Sequence, residues 1–136
     1  MRTTGVFGFA AIGLLATSCT SQTDTPEVYL LDANGRSALI AFAFLDEHHA
    51  DDFLKQGKFY VGIGPCDARE NIRYYPAEAK RSSISERTIA FDVLLDEPNS
   101  APQLISQCAY AKTTGYFGPR LETSFRRIQT EINMRE

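Results

Sequence analysis

The chain of 136 residues has no tryptophan, and its only histidines are the neighbours His48 and His49. With so few imidazole groups and no Gly-x-Ser-x-Gly motif, the sequence offers little for nucleophilic catalysis. No pattern selects a pair of glycosidase-type carboxylates from its 17 acidic residues. These shortages predict that the protein is not an enzyme, and no motif indicates a cofactor.

Clustered cations are equally scarce. The only adjacent basic residues are Lys80-Arg81 and Arg126-Arg127, and the net charge is −3 at pH 7. Binding to nucleic acid needs clustered cations that neutralise successive phosphates. The composition therefore predicts no nucleic-acid partner.

An apolar run long enough to cross a membrane is also missing. The run from Gly5 to Ala16 spans twelve residues, whereas a membrane-spanning helix needs about 20. Twelve residues behind the positive charge of Arg2 match the apolar core of a secretory signal peptide, which spans roughly 7–15 residues. We therefore predict a signal peptide over residues 1–18 and export of the rest. Loss of Arg2 with this leader changes the net charge from −3 to −4.

The end of this leader, Leu15-Ala16-Thr17-Ser18-Cys19, resembles the processing site of bacterial lipoproteins. In that family small residues precede a cysteine that is acylated and becomes the mature N-terminus; leucine is favoured where Ala16 stands. The resemblance implies palmitate on Cys19 and the lipid bilayer as a partner. Thr20, which is not aspartate, implies sorting to the outer membrane, facing the periplasm. The alternative is ordinary cleavage after Ser18, which would leave Cys19 as a free thiol.

The chain has three cysteines. With Cys19 lipidated, Cys66 and Cys108 remain as a pair in an oxidising compartment. Redox-active pairs are usually close, as in Cys-x-x-Cys, whereas 41 residues separate these two. The spacing predicts a structural disulfide, and its loop closure is worth up to about 4 kcal/mol.

The predicted mature chain divides into a short polar segment and one domain. Residues 19–26 are polar and turn-rich, which indicates a tether. Residues 27–136 have the length of a single globular domain. Alternating or continuous apolar patterns predict strands over 27–32, 37–45, 59–63, 71–76, 88–95 and 104–112, with polar loops at 77–86 and 96–102. A short helix at about 47–56 completes a mainly β fold, a small antiparallel β-sandwich.

The C-terminal segment fits two structures. Leu121, Phe125, Ile128 and Ile132 fall at helical spacing, which gives the alternative of an α+β fold with a C-terminal helix at 121–134. A strand over 120–128 fits a hairpin that returns from the preceding turn. We favour the strand.

The segment from Asp46 to Asp52 is the one metal-like feature. On a helix His48 and Asp52 lie four apart and Asp46 and His49 three apart, so these side chains are weak candidates for zinc ligands. A tetrahedral site needs further ligands from elsewhere. The interpretation we favour is an acidic first turn that complements the helix dipole.

The turn from Gly115 to Arg120 is the candidate partner-binding site. Tyr116 and Phe117 lie between glycines, and Arg120 follows them. Tyrosine, phenylalanine and arginine are enriched in protein interfaces. An equally open interpretation is that the two rings fold back over the core.

Together these features predict a membrane-tethered, non-enzymatic module that binds another envelope or secreted protein. Such a module fits an inhibitor or immunity protein, or an accessory subunit of an envelope assembly. The alternative is a lipoprotein that binds a small ligand or a metal through the histidine segment.

Overall fold

The computed structural model describes residues 20–55, 57–82, 84–98, 101–113 and 120–130. Within these ranges the chain forms nine strands: β1 (Thr20–Thr23), β2 (Glu27–Asn34), β3 (Ser37–Ala43), β4 (Phe59–Gly64), β5 (Arg73–Arg81), β6 (Thr88–Leu94), β7 (Cys108–Thr113), β8 (Arg120–Thr123) and β9 (Arg126–Thr130). The helices are α1 (Glu47–Leu54), α2 (Ala101–Leu104) and a 3₁₀ turn (Arg69–Asn71). This confirms the prediction of a mainly β fold with a short helix near residues 47–56.

All nine strands belong to one sheet, in the order β1-β8-β7-β4-β5-β6-β3-β2-β9, and β9 also pairs with β7. That last pairing closes the sheet into a seven-stranded barrel, whereas the sequence predicted a sandwich. Both folds produce the same alternation of buried and exposed residues along a strand. Closure depends instead on pairing of the C-terminal strand β9 with both β2 and β7, which no local pattern reveals.

The barrel closes through two long, bent strands that run side by side. Strand β1 pairs in parallel with β8, with Thr23 opposite Thr123. Strand β2 pairs in parallel with β9, with Val28 opposite Ile128. Both pairings join residues one hundred positions apart, so the register is the same before and after the bend. Strands β1 and β2 therefore occupy one position of the barrel, and β8 and β9 occupy the next.

Side chains replace the sheet hydrogen bonds at the bend. The Ser124 hydroxyl oxygen accepts a hydrogen bond from the Thr25 N–H at 3.2 Å and donates to the Asp24 carboxylate at 2.6 Å. The Arg126 guanidinium also donates to Asp24, at 3.2 Å. The hydrogen bond from Ser124, with that from Arg126, holds the pKa of Asp24 below its usual value. These contacts keep the two bent strands in register.

Part of the segment interpreted as a polar tether, residues 19–26, is thus paired with the barrel. Its strand β1 begins at Thr20, and the side chains of Thr23 and Thr25 are buried. A hydrophobicity pattern does not reveal that small polar side chains such as these are buried. The free chain between Cys19 and the sheet is therefore shorter than the sequence indicated.

Aromatic side chains fill the interior of the barrel. The Phe91 ring packs edge-on against Phe42, Phe53 and Phe59, with centroids 5.3, 6.1 and 5.5 Å away. Helix α1 contributes Phe53 and Ala50 to this core, and both are fully buried. Within the ranges described above, no helix is long and apolar enough to cross a membrane.

Strand β5 corrects two predictions, because it runs through Pro76 and over part of the expected loop at 77–86. Pairing between β5 and β6 begins only at Ala77. The N–H that Pro76 lacks is therefore not needed by β6. Beyond it, Ala77 and Ala79 pack against the core while Glu78 and Lys80 are exposed. Alanine alternating with charged residues forms a half-buried strand here, but the low hydrophobicity of such a segment is also typical of a loop.

Two further boundaries differ from the prediction. The strand expected over 104–112 begins at Cys108, and Ala101–Leu104 form helix α2 at the end of the expected loop. At the C-terminus the strand prediction for 120–128 is confirmed, although β8 and β9 are separated at the bend. The alternative helix at 121–134 is wrong over 121–130, and 131–134 lie outside the described residues.

Candidate functional site

A disulfide joins Cys66 to Cys108, with the Cα atoms 4.9 Å apart, which confirms the predicted pairing. Cys108 begins β7 and lies opposite Gly64, the last residue of β4. Cys66 belongs to the loop that follows β4. The bond therefore holds this loop, which includes Arg69, against the start of β7.

Two tyrosines meet on the outer wall of the barrel, one from each neighbour of β4. Gly62 on β4 lies opposite Tyr74 of β5 on one side and Tyr110 of β7 on the other. A Cβ atom at Gly62 would lie 3.0 Å from Tyr74 Cε1 and 2.9 Å from Tyr110 Cε1. Because glycine leaves this space empty, the rings approach over β4 and their hydroxyl oxygens share a hydrogen bond of 2.8 Å. We call Tyr74, Tyr110 and the cations beside them the tyrosine cluster.

Two cations cover the aromatic faces. Lys112 Nζ lies 4.1 Å from the centroid of the Tyr74 ring. The Arg69 guanidinium lies 5.5 Å from the centroid of Tyr110 and 4.9 Å from that of Phe125. Such cation–π contacts are attractive and orient both partners.

The two tyrosines differ in exposure. Tyr110 is 5% exposed, whereas Tyr74 is 46% exposed. Burial, followed by the hydrogen bond from Tyr74, raises the pKa of Tyr110 well above its usual value. Tyr110 therefore stays protonated at neutral pH. The cluster presents one exposed ring, Tyr74, with Lys112 over its face, while Arg69 covers the neighbouring buried Tyr110.

The sequence did not predict this cluster. Tyr74 and Tyr110 lie 36 residues apart in the chain, and a single sequence does not show which strands are neighbours. The predicted site, residues 115–120, lies almost entirely outside the described residues. Tyr116 and Phe117 are outside the described residues, and for Arg120 only its place at the start of β8 is described. Their role stays a prediction.

The histidine segment lies at the start of α1. Asp46 is the N-cap, and its carboxylate accepts hydrogen bonds from the His49 N–H at 2.9 Å and from His49 Nδ1 at 2.7 Å. His48 Nε2 lies 3.4 Å from an Asp52 carboxylate oxygen. Across the described part of the chain, no three His, Cys, Asp or Glu side chains are grouped as metal ligands. The contacts found here are those of a capped helix.

Comparison with known proteins identifies no relative. No family model matches the chain, and neither a curated protein nor a solved structure matches it. The case for a function therefore depends on the geometry of the barrel and its outer wall.

Proposed function

We propose that this protein is an exported lipoprotein that binds another envelope or secreted protein and catalyses no reaction. It is anchored at the periplasmic face of the outer membrane through acylated Cys19. Its contact surface is the tyrosine cluster. The observation that carries the proposal is the half-exposed ring of Tyr74, held in place by Tyr110 and Lys112 on the outer wall.

The composition of the cluster supports a protein partner. Tyrosine and arginine are the residue types found most often among the energetic hot spots of interfaces. Part of the cost of association is the ordering of flexible side chains. The Tyr74 ring is already ordered by a hydrogen bond and a cation, so burial against a partner costs little additional entropy.

The packing of the barrel supports a surface site rather than an enclosed one. Barrels that bind small ligands inside leave a cavity between the strands. Here the interior is filled by Phe42, Phe53, Phe59 and Phe91. A rigid barrel with an outer contact surface suits both an inhibitor or immunity protein and an accessory subunit of an envelope assembly.

The anchor is tested by metabolic labelling with palmitate. The wild-type protein should be labelled and should sediment with membranes. The variant Cys19→Ser should lose the label and become soluble. A wild-type protein recovered in soluble form without acyl chains would contradict the anchor.

The contact surface is tested by placing a photo-crosslinking amino acid at position 74 in living cells. We expect an adduct of one defined mass after irradiation. Leu94 is the matched control position, since it is 55% exposed and lies outside the cluster. The variant Lys112→Gln, which removes the cation over the side chain at position 74, should lower the adduct yield. Equal adducts at positions 74 and 94, or none at 74, would contradict the proposal.

A further inference from the structure

Very little chain separates the proposed anchor from the folded barrel. Thr20 is already paired with Arg120 in the sheet, and Cys19 is the residue before it. A single peptide link spans about 3.8 Å between Cα atoms, whereas a free tether of seven residues reaches roughly 25 Å. Acyl chains on Cys19 therefore restrict both the distance of the barrel from the bilayer and its orientation.

The strand directions show which end of the barrel Cys19 adjoins. Strands β1 and β2 run in the same direction, so the start of β1 is at the same end as Glu27, the first residue of β2. Glu27 lies opposite Ala43, the last residue of β3, and Ala43 lies opposite Thr88, the first residue of β6. The segments that follow β3 and precede β6 therefore share this end with Cys19. We call it the anchor end.

The anchor end carries two exposed apolar side chains. Leu45, which follows β3, is 53% exposed, and Ile84, which precedes β6, is 45% exposed. A groove of about 360 Å³ lies between the segments 45–47 and 85–87. Transfer of exposed leucine and isoleucine side chains out of water is favourable in free energy. Three acidic side chains and one cation, Arg87, line the groove, and this excess of negative charge disfavours an anionic surface.

We infer that the anchor end rests on a zwitterionic lipid surface through Leu45 and Ile84, which fixes the barrel upright on the bilayer. The inference rests on the proposed acylation of Cys19. The opposite end carries the turn at Gly35 and the loop with Cys66 and Arg69, because β4 runs in the same direction as β2. The tyrosine cluster lies on the outer wall between the two ends, so an upright barrel leaves it accessible to a partner.

The test uses the full-length acylated protein in vesicles of phosphatidylethanolamine and phosphatidylcholine. An environment-sensitive fluorophore is attached at Ile84→Cys in one sample and at Asn34→Cys, at the opposite end, in another. Acylation of Cys19 and the disulfide leave the new cysteine as the single free thiol. We expect a blue-shifted emission and loss of iodide quenching at position 84, with neither change at position 34.

A matched variant carries a flexible Gly/Ser linker between Cys19 and Thr20. This variant keeps the lipid but has a longer, flexible connection to the barrel. Iodide should therefore again quench the fluorophore at position 84. Equal quenching at positions 84 and 34 in the acylated protein would overturn the inference and leave the lipid anchor standing. A protein that lacks acyl chains in its intact mass would overturn both.

Discussion

The Asp46 carboxylate accepts two hydrogen bonds from His49, one from the backbone N–H and one from the ring. The backbone bond, and then the ring bond, lower the pKa of Asp46 in the folded protein. A carboxyl whose pKa is lower in the folded than in the unfolded protein stabilises the fold at pH values above its unfolded pKa. This stabilisation is lost as the pH falls through the folded pKa.

We therefore expect the contribution of Asp46 to be present at neutral pH and to disappear as the pH falls through and below the usual pKa range of an aspartate carboxyl. Asp46→Asn keeps a capping oxygen but has no charge to titrate, so its stability should fall less steeply in acid. Asp46→Ala removes the cap and should be less stable at every pH. Urea unfolding across this range measures the three slopes. If stability falls equally steeply with pH in the wild type and in Asp46→Asn, the Asp46 carboxyl has the same pKa in the folded and the unfolded protein, which contradicts the prediction.

The space above Gly62 gives a second prediction. In Gly62→Ala the new methyl group meets both tyrosine rings and Ile72 Cγ2, which lies 2.8 Å from the added Cβ. We expect the rings to separate and the free energy of unfolding to fall by about 1–3 kcal/mol. Near-ultraviolet circular dichroism reports the change, because the chain has no tryptophan and its signal comes chiefly from tyrosine.

Gly64→Ala is the matched comparison. Its Cβ would lie 2.9 Å from the Cα of Ile72, and a backbone atom is less able to move away than the end of a ring. Gly64→Ala should therefore be the more destabilising of the two. The crosslink from position 74 should be weakened by Gly62→Ala even where the far-ultraviolet spectrum is unchanged. An unaltered tyrosine signal in Gly62→Ala would show that the rings do not depend on this space.

The disulfide gives a third prediction. Cys66 and Cys108 are 42 positions apart in the chain. Replacing both by serine removes the covalent closure of this loop and should lower the free energy of unfolding by up to about 4 kcal/mol. It also releases the loop that places Arg69 over Tyr110, so the crosslink from position 74 should weaken. Denaturant midpoints with and without reductant measure the first effect. The serine variant itself should not respond to reductant.

A fourth prediction concerns Thr25, whose buried hydroxyl has no hydrogen-bond partner among the described residues. An unsatisfied buried hydroxyl costs roughly 1–3 kcal/mol, so Thr25→Val should raise the free energy of unfolding by about 1 kcal/mol. Thr113→Val is the control, because the Thr113 hydroxyl accepts the Leu121 N–H at 3.0 Å. That variant should be destabilised. A loss of stability in both would mean that the Thr25 hydroxyl is hydrogen-bonded in solution.

Local features of the structure were predictable from the sequence where one short segment determines them. The alternation around Phe91 predicts β6, and the dipeptide Asn34-Gly35 predicts the hairpin turn, in which Gly35 has a φ of 63°. Features that join distant segments were not predictable. Barrel closure needs β9 beside both β2 and β7. The tyrosine cluster needs Gly62 between two strands that no pattern identifies as neighbours.

Thr23 and Thr123 are neighbours in the sheet, yet a hundred residues separate them in the chain. During synthesis the first strand emerges long before its partner, and contacts between such distant segments form slowly because a long loop must close first. Until then β1 has no partner and β2 has one unpaired edge, and unpaired edges recruit other chains. The order of synthesis thus leaves an open barrel exposed until the last strand arrives. An acyl group added to Cys19 during that interval would hold the waiting strand at the bilayer and separate it from other unfolded chains.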